Sequence, residues 1–353
     1  MKQKLIISSN LQQELAIAIS ECEHDRVFVL ADETTAQVCW PVVSGFLCLR
    51  GAHLITIPPT DTHKTLESLS HVWRQLSEQG ASRHSLLINL GGGMVTDLGG
   101  FAASTFKRGI DFINLPTTLL AMVDASVGGK TGINFNGLKN EIGTFTDSRY
   151  VILSTRFLQT LDHENLCSGY AEMLKHGLIA DERTWASLLS FDLQKASTPE
   201  GLATLQQMVG ESVEVKQRVV EADPREHGIR KALNLGHTVG HAFESFAMNT
   251  DRPMLHGYAV AFGLVCELYL SAVKCHFPQD KLRQTVSFIR ENYGHFPITC
   301  DDYPALLELM THDKKNQNGH ILFTLLSEVG DICINQQVTD EEIKESLDFF
   351  REG

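Results

Sequence analysis

No two cysteines in this sequence are spaced as CxxC, and none have zinc-ribbon spacing, although the chain carries eight: Cys22, Cys39, Cys48, Cys167, Cys266, Cys275, Cys300 and Cys333. A cysteine-built zinc module is therefore excluded, and the scattered thiols read as reduced side chains of a cytoplasmic protein. No run of about 18 apolar residues occurs, so no membrane span is expected. The opening MKQKLIISSN has two lysines but no long apolar segment, so no signal peptide is expected either. Basic residues are outnumbered, 30 against 43 acidic, and the net charge of -13 argues against non-specific nucleic-acid binding. A locally basic cleft on an acidic protein remains open. There is no internal repeat and no low-complexity tract. What is left is an ordinary globular composition, 43% hydrophobic and 21% charged, in a length of 353 residues that favours two domains.

What is present is concentrated between Gly91 and Phe145. This stretch is rich in glycine and has Pro116 as its only proline. It carries Lys107, Arg108, Lys130 and Lys139 beside Asp97, Asp111 and Asp124. Glycines let backbone N–H groups approach an anion, and lysines add full charge. A phosphate-rich ligand, bound on loops at the ends of strands, is expected.

Upstream, residues 4–8 read as a strand, 11–21 as a helix, and 26–31 as a buried strand closing at Asp32. An acidic residue there contacts a ribose hydroxyl or caps the loop, and both readings stand. Residues 53–57 form a strand stopped by Pro58 and Pro59, and 65–79 an amphipathic helix. The strand 85–90 runs into Gly91, Gly92 and Gly93, and a helix starts over 94–105. Strand, glycine turn and helix N-terminus is the arrangement that binds a pyrophosphate, although Thr96 stands where GxGxxG has its third glycine. Residues 110–115 are the next strand. Pro116 can open a helix there, with the Thr117 and Thr118 hydroxyls at its start. Gly128, Gly129, Lys130 and Thr131 look like the end of a P-loop. The Walker pattern needs glycine where Asp124 stands, and the segment follows a helix, so a P-loop NTPase is rejected.

Residues 150–153 are the last clear strand of this half. Beyond Leu161 the pattern becomes helical, over 168–179, 184–189, 202–221, 237–248, 258–275, 280–293, 303–310 and 340–351, with 321–326 as a short hairpin strand. The expected architecture is an α/β domain over residues 1–160 and a mostly α-helical domain over 161–353.

His237 and His241 lie four apart, on one face of a helix, and His256 follows. Thr238 stands where the zincin pattern HExxH has its glutamate, so a protease is a poor reading. The apolar segment around Ala171 carries Glu172 and Lys175 a turn apart. A Glu/His/His set with open positions fits a catalytic divalent metal, most simply Zn²⁺.

At this point the chain resembles the 3-dehydroquinate synthase family. The resemblance rests on LPTTLLAMVDASVGGKTGIN (115–134), GLKNEIGTF (137–145), GYAEMLKHGLI (169–179), LNLGHTVGHAFE (233–244), LHGYAVAFG (255–263) and DKKN (313–316), together with the Gly91 turn. It implies a Rossmann-like NAD-binding domain followed by a helical metal-binding domain. It further implies a cytoplasmic homodimer of the shikimate route that turns 3-deoxy-D-arabino-heptulosonate 7-phosphate into 3-dehydroquinate and phosphate. The cycle is transient alcohol oxidation by NAD⁺, phosphate elimination, reduction, ring opening and aldol closure, a carbon–oxygen lyase overall. The implied metal is Zn²⁺, with Co²⁺ as the substitute, and its ligands are Glu172, His237 and His256. The phosphate falls to Lys130, Asn140, Lys175 and Arg108, with Arg108 from the partner subunit. The carboxylate falls to Lys216, Arg230 and Lys314 or Lys315, near Asn234. Asp124 orients hydroxyls, and His241 relays a proton. NAD⁺ meets Asp32, Lys64, Gly92, Gly93, Asp97, Thr117, Thr118, Lys130, Lys139, and the turn from Phe157 to Thr160. Two departures stand out: Thr60 and Asp61 replace the family's Gly-Glu, and Thr96 replaces a glycine. Asp97 reads alternatively as a helix cap, and Lys107, Lys315 and His176 as solvated or structural. The alternatives are another sugar-phosphate cyclase, of the 2-epi-5-epi-valiolone or inosose synthase type, a metal-dependent polyol dehydrogenase, or a non-catalytic ligand-binding homologue.

Overall fold

The computed structural model describes residues 3–224, 226–248, 253–311 and 321–352. Its contacts divide the chain into two units: Met1–Asp162 with Ser197–Val213, and His163–Ala196 with Glu214–Gly353.

The first unit is a six-stranded, all-parallel sheet. Its strands are β1 (Lys4–Ile7), β2 (Val27–Asp32), β3 (His53–Ile57), β4 (Leu86–Gly91), β5 (Asp111–Pro116) and, later in the chain, β8 (Tyr150–Leu153). The order across the sheet is β1-β8-β5-β4-β2-β3. The inner strands read as near-continuous apolar runs because helices cover both faces. Helices α1 (Leu11–Glu21), α2 (Glu33–Val38), α3 (Trp40–Val43), α4 (Leu66–Glu78) and α5 (Gly93–Thr105) supply that cover. Phe28, Leu30, Ile55, Leu69, Val72, Leu76, Leu87, Leu98 and Phe112 form one core between them.

Two features of this unit differ from the sequence expectation. Pro116 does not open a helix: it ends β5, paired with Gly91, and the helical turn starts after Thr118, whose Oγ1 accepts from the Ala121 N–H. Residues 130–145, to which the sequence assigned no element, are not loop. They form an antiparallel hairpin of β6 (Lys130–Phe135) and β7 (Leu138–Phe145). Its turn is Asn136-Gly137, both with positive φ, the conformation a two-residue hairpin turn needs. Lys130 thus begins a strand, in line with the rejected P-loop.

The second unit is helical: α6 (His163–Ala180), α7 (Glu182–Ser190), α9 (His237–Ala247), α10 (His256–Cys275), α11 (Gln279–Tyr293), α12 (Tyr303–Thr311) and α13 (Asp340–Glu352). A hairpin of β9 (Leu322–Glu328) and β10 (Asp331–Gln337) completes it. The Gly330 N–H at its turn bonds the Leu178 carbonyl of α6 at 2.9 Å. The long helix α8 (Pro199–Ala222) begins with the first unit, where Gln206 Oε1 accepts from the Thr155 N–H and hydroxyl at 3.1 and 2.7 Å. The segment 197–213 thereby groups with the first unit, although it lies beyond residue 161. Helix α10 is long and apolar enough to cross a membrane by length and composition alone, but most of it is buried in the unit's core.

Candidate functional site

In the first unit, the register Gly91–Pro116 sets the ends of β4 and β5 side by side. Gly92 caps α5 with no side-chain bond, and the Thr117 N–H bonds the Gly91 carbonyl at 3.0 Å. A Cβ at Gly92 would lie 3.1 Å from the Thr118 methyl. Gly92, Gly93, Thr117 and Thr118 therefore lie together at the strand ends beside a helix N-terminus, where an anion is favoured. Thr96 is accommodated inside α5, its hydroxyl bonded to the Gly93 carbonyl at 3.1 Å.

In the same unit, Lys64 is 3% exposed and donates to Asp97 Oδ2 and to Asn140 Oδ1, each at 2.5 Å. Three expected site residues from a turn, a helix and a hairpin strand are thus held by one ammonium. Asp61 faces Lys139 at 3.7 Å and accepts from the Asn134 amide at 3.2 Å, so the replacement of the family's glutamate ties the turn to the hairpin. Thr60 has φ 76 and ψ 154, a region that only glycine enters without strain. Asp32 caps α2, accepting from the Thr35 N–H at 2.9 Å. Phe157 is buried and Thr160 lies on the surface of the same short turn. Asp124 is half-buried and Lys130 exposed. Arg108 is exposed at the far end of α5 from Gly92, roughly 20 Å away at the rise of a helix.

In the second unit, Glu172 on α6 is fully buried, and neither carboxylate oxygen has a directed hydrogen bond. His237 Nε2 and His256 Nε2 each lie 3.4 Å from Glu172 Oε1. Two donors about 2.0–2.2 Å from a tetrahedral Zn²⁺ stand roughly 3.4 Å apart, so the spacing suits a shared cation better than a hydrogen bond. The other ring nitrogens are fixed. His237 Nδ1 donates to the Leu235 carbonyl at 3.1 Å, and His256 Nδ1 to Glu244 Oε2 at 3.1 Å. Each proton is thereby placed on Nδ1 and leaves Nε2 to ligate. The residues fit a divalent metal.

Electrostatics agree for Glu172 and His237, while the two carboxylates around His256 favour a second proton that a bound metal would displace. Burial pushes the Glu172 carboxyl up, but the Lys175 ammonium paired with it, and then His237, outweigh burial and hold it well below the usual range. Burial and then Lys175 lower His237 to about 4. Burial also lowers His256, yet the negative charges of Glu172 and Glu244 beside it prevail and push it up to about 10.

Close backbone contacts build this trio. A Cβ at Gly257, next to His256, would fall 1.8 Å from the Ser168 carbonyl oxygen, one turn before Glu172. A Cβ at Gly263 would fall 2.0 Å from the Gly236 oxygen, just before His237. Helices α6, α9 and α10 thus meet backbone to backbone where each presents its ligand.

His241 joins the cluster, its ring 5.3 Å from His237 and 6.0 Å from His256. Lys216 on α8 and Arg230 are both buried; the Arg230 guanidinium donates to the Pro224 carbonyl at 2.7 Å. Asn234 donates to Glu226 at 3.1 Å. Lys314 and Lys315, with the rest of DKKN, lie outside the described residues. Two residues escaped the sequence reading. Glu244 is seven residues after His237, on the same helical face as His237 and His241, and that periodicity was its signal. Glu267, fully buried on α10, had none.

The profile described as "3-dehydroquinate synthase N-terminal" matches residues 54–168, and "3-dehydroquinate synthase C-terminal" matches 169–316. A 3-dehydroquinate synthase of Parabacteroides distasonis is 53% identical over 352 residues, covering 100% of this chain and 99% of that one. Among solved structures, the 2-epi-5-epi-valiolone synthase of Streptomyces hygroscopicus, with NAD⁺ and Zn²⁺ bound, has a TM-score of 0.87 at 24% identity, covering 100% and 97% of the two chains. A 2-deoxy-scyllo-inosose synthase complexed with carbaglucose-6-phosphate, NAD⁺ and Co²⁺ has a TM-score of 0.83 at 22% identity, covering 99% and 96%. At these identities the two structures speak to the fold alone.

Proposed function

Because the chain belongs to the 3-dehydroquinate synthase family, we propose that it converts 3-deoxy-D-arabino-heptulosonate 7-phosphate to 3-dehydroquinate and phosphate, using NAD⁺ and Zn²⁺ or Co²⁺. The observation that carries the metal chemistry is the buried Glu172 carboxylate, flanked at 3.4 Å by both His237 and His256.

Glu172, His237 and His256 hold the metal. When bound, it would make a hydroxyl more acidic and polarise a carbonyl. NAD⁺, when bound, would supply the hydride acceptor. Lys175, paired with Glu172, balances its charge and takes a phosphate role. His241, beside both ligating rings, carries the hydroxyl proton. On the first unit, Lys130 and Asn140 take phosphate roles and Asp124 orients hydroxyls. Lys216, Arg230 and Asn234 are two cations and an amide set for a carboxylate, which a substrate lacking that group would not need. Gly92, Gly93, Thr117 and Thr118 receive the pyrophosphate of NAD⁺. Asp32, Lys64, Asp97, Lys139, Phe157 and Thr160 complete its surroundings. Arg108, exposed and remote from the Gly92 turn, serves the second copy of a homodimer. Leu138 and Phe145 of the hairpin, 57% and 73% exposed, offer apolar surface for that copy. The enzyme works in the cytoplasm on a small phosphorylated sugar acid, with neither nucleic acid nor membrane as partner.

The test is phosphate release from the heptulosonate phosphate with NAD⁺ and Zn²⁺, with and without chelator, while NADH absorbance is followed. Chelator-sensitive release without NADH build-up is expected. NADH build-up without phosphate would make the protein a dehydrogenase. Turnover of sedoheptulose 7-phosphate instead would make it another cyclase.

A further inference from the structure

Helix α9 starts at Gly236, whose φ of 78 leaves it in the left-handed region and whose missing side chain provides no cap. A helix start leaves several N–H groups in need of acceptors. Here a single carboxylate from another helix meets them. Glu267 of α10 is fully buried and accepts from the N–H groups of Gly236 at 2.6 Å, Thr238 at 2.9 Å and Val239 at 3.1 Å.

The Gly236 N–H belongs to the same peptide unit as the Leu235 carbonyl, and that carbonyl accepts from His237 Nδ1 at 3.1 Å. One rigid peptide plane therefore carries Glu267 at one end and the ligating imidazole at the other. Hydrogen bonds in series polarise one another, so a carboxylate on the N–H makes the carbonyl a better acceptor. At the other end of the same helix pair, Glu244 holds His256 Nδ1 directly. Both histidines are thus backed by a carboxylate, one at first hand and one through a peptide bond.

We propose that Glu267 is a positioning residue for the metal: it sets the orientation and basicity of His237 through the Leu235–Gly236 peptide. The inference rests on the metal reading of Glu172, His237 and His256. Removing partners behind a metal ligand weakens metal binding by about 10- to 100-fold.

The experiment is titration of metal-stripped full-length protein with Co²⁺, reading the visible absorption bands and the Kd, alongside Tm. Glu267→Gln keeps the shape but turns an amide N–H₂ towards N–H donors. It should weaken Co²⁺ by about 10- to 100-fold and displace the bands. A carboxylate that only capped α9 would lower Tm and leave the bands and Kd unchanged, and that result overturns the proposal. Should Glu267→Gln not fold, Glu267→Asp keeps the charge but is too short to hold all three N–H groups. Displaced bands and a weaker Kd are expected again, and wild-type values overturn the proposal. A wild-type protein that binds no Co²⁺ would instead overturn the metal reading itself.

Discussion

The two polar constellations of this chain are built by opposite means. In the second unit, the proposed ligands come from three helices whose backbones touch, with Gly257 against Ser168 and Gly263 against Gly236. Packing brings the ligand positions together there, and the carboxylates of Glu244 and Glu267 orient the rings. In the first unit, Lys64, Asp97 and Asn140 come from a turn, a helix and a largely exposed hairpin, and they are joined by side-chain bonds. Position there depends on polar partners. A metal needs its donors within a few tenths of an ångström, whereas a dinucleotide spreads its demands over many weaker contacts.

The largest way to break this contrast is His237→Ala. Metal affinity should fall by more than the roughly 100-fold of changes behind a ligand, and chelator-sensitive phosphate release should vanish with it. A metal-replete, active variant would remove the centre from the second unit. Next is Gly257→Ala, which forces a methyl onto the Ser168 carbonyl. Overpacking of this kind costs about 1–3 kcal/mol, so Tm and Co²⁺ affinity should fall together. Unchanged values would show that helix contact does not set the ligand spacing.

Lys64→Met probes the other region. Losing charged hydrogen bonds of about 1.5–3 kcal/mol should weaken NAD⁺ by about tenfold or more, with metal content untouched. Metal loss in this variant would mean that the two constellations are not independent. Smallest is Thr60→Gly. Strain at such a φ costs about 1–3 kcal/mol, partly offset by the freer unfolded chain, so a net gain of roughly 1 kcal/mol and a slightly raised Tm are expected. A lowered Tm would show that Thr60 is held without strain.

The parallel sheet, the glycine turn and most helices were legible because burial on two faces and helical periodicity leave strong patterns. The metal trio was legible as residue types, and its likeness to a known family supplied the pairing. The hairpin at 130–145 was obscured by glycines and lysines that read as loop, although Asn136-Gly137 is a strong hairpin signal. Pro116 misled because a proline can begin a helix or end a strand, and only its pairing with Gly91 decides. Glu267 was illegible in principle. A carboxylate in an apolar helix gives no hint that its acceptors face another helix's first turn, since that relation exists only after α9 and α10 have packed.

The proposed ligands Glu172, His237 and His256 are far apart along the chain and adjacent only when α6, α9 and α10 are folded together. A cation held there is a removable cross-link, and by mass action it favours the native state over the unfolded one. At a free concentration a thousand times its Kd, it adds about 4 kcal/mol, a large share of the stability of an ordinary domain. Metal scarcity would then act twice: chains lacking the ion would lose catalysis and would also open more often to proteases.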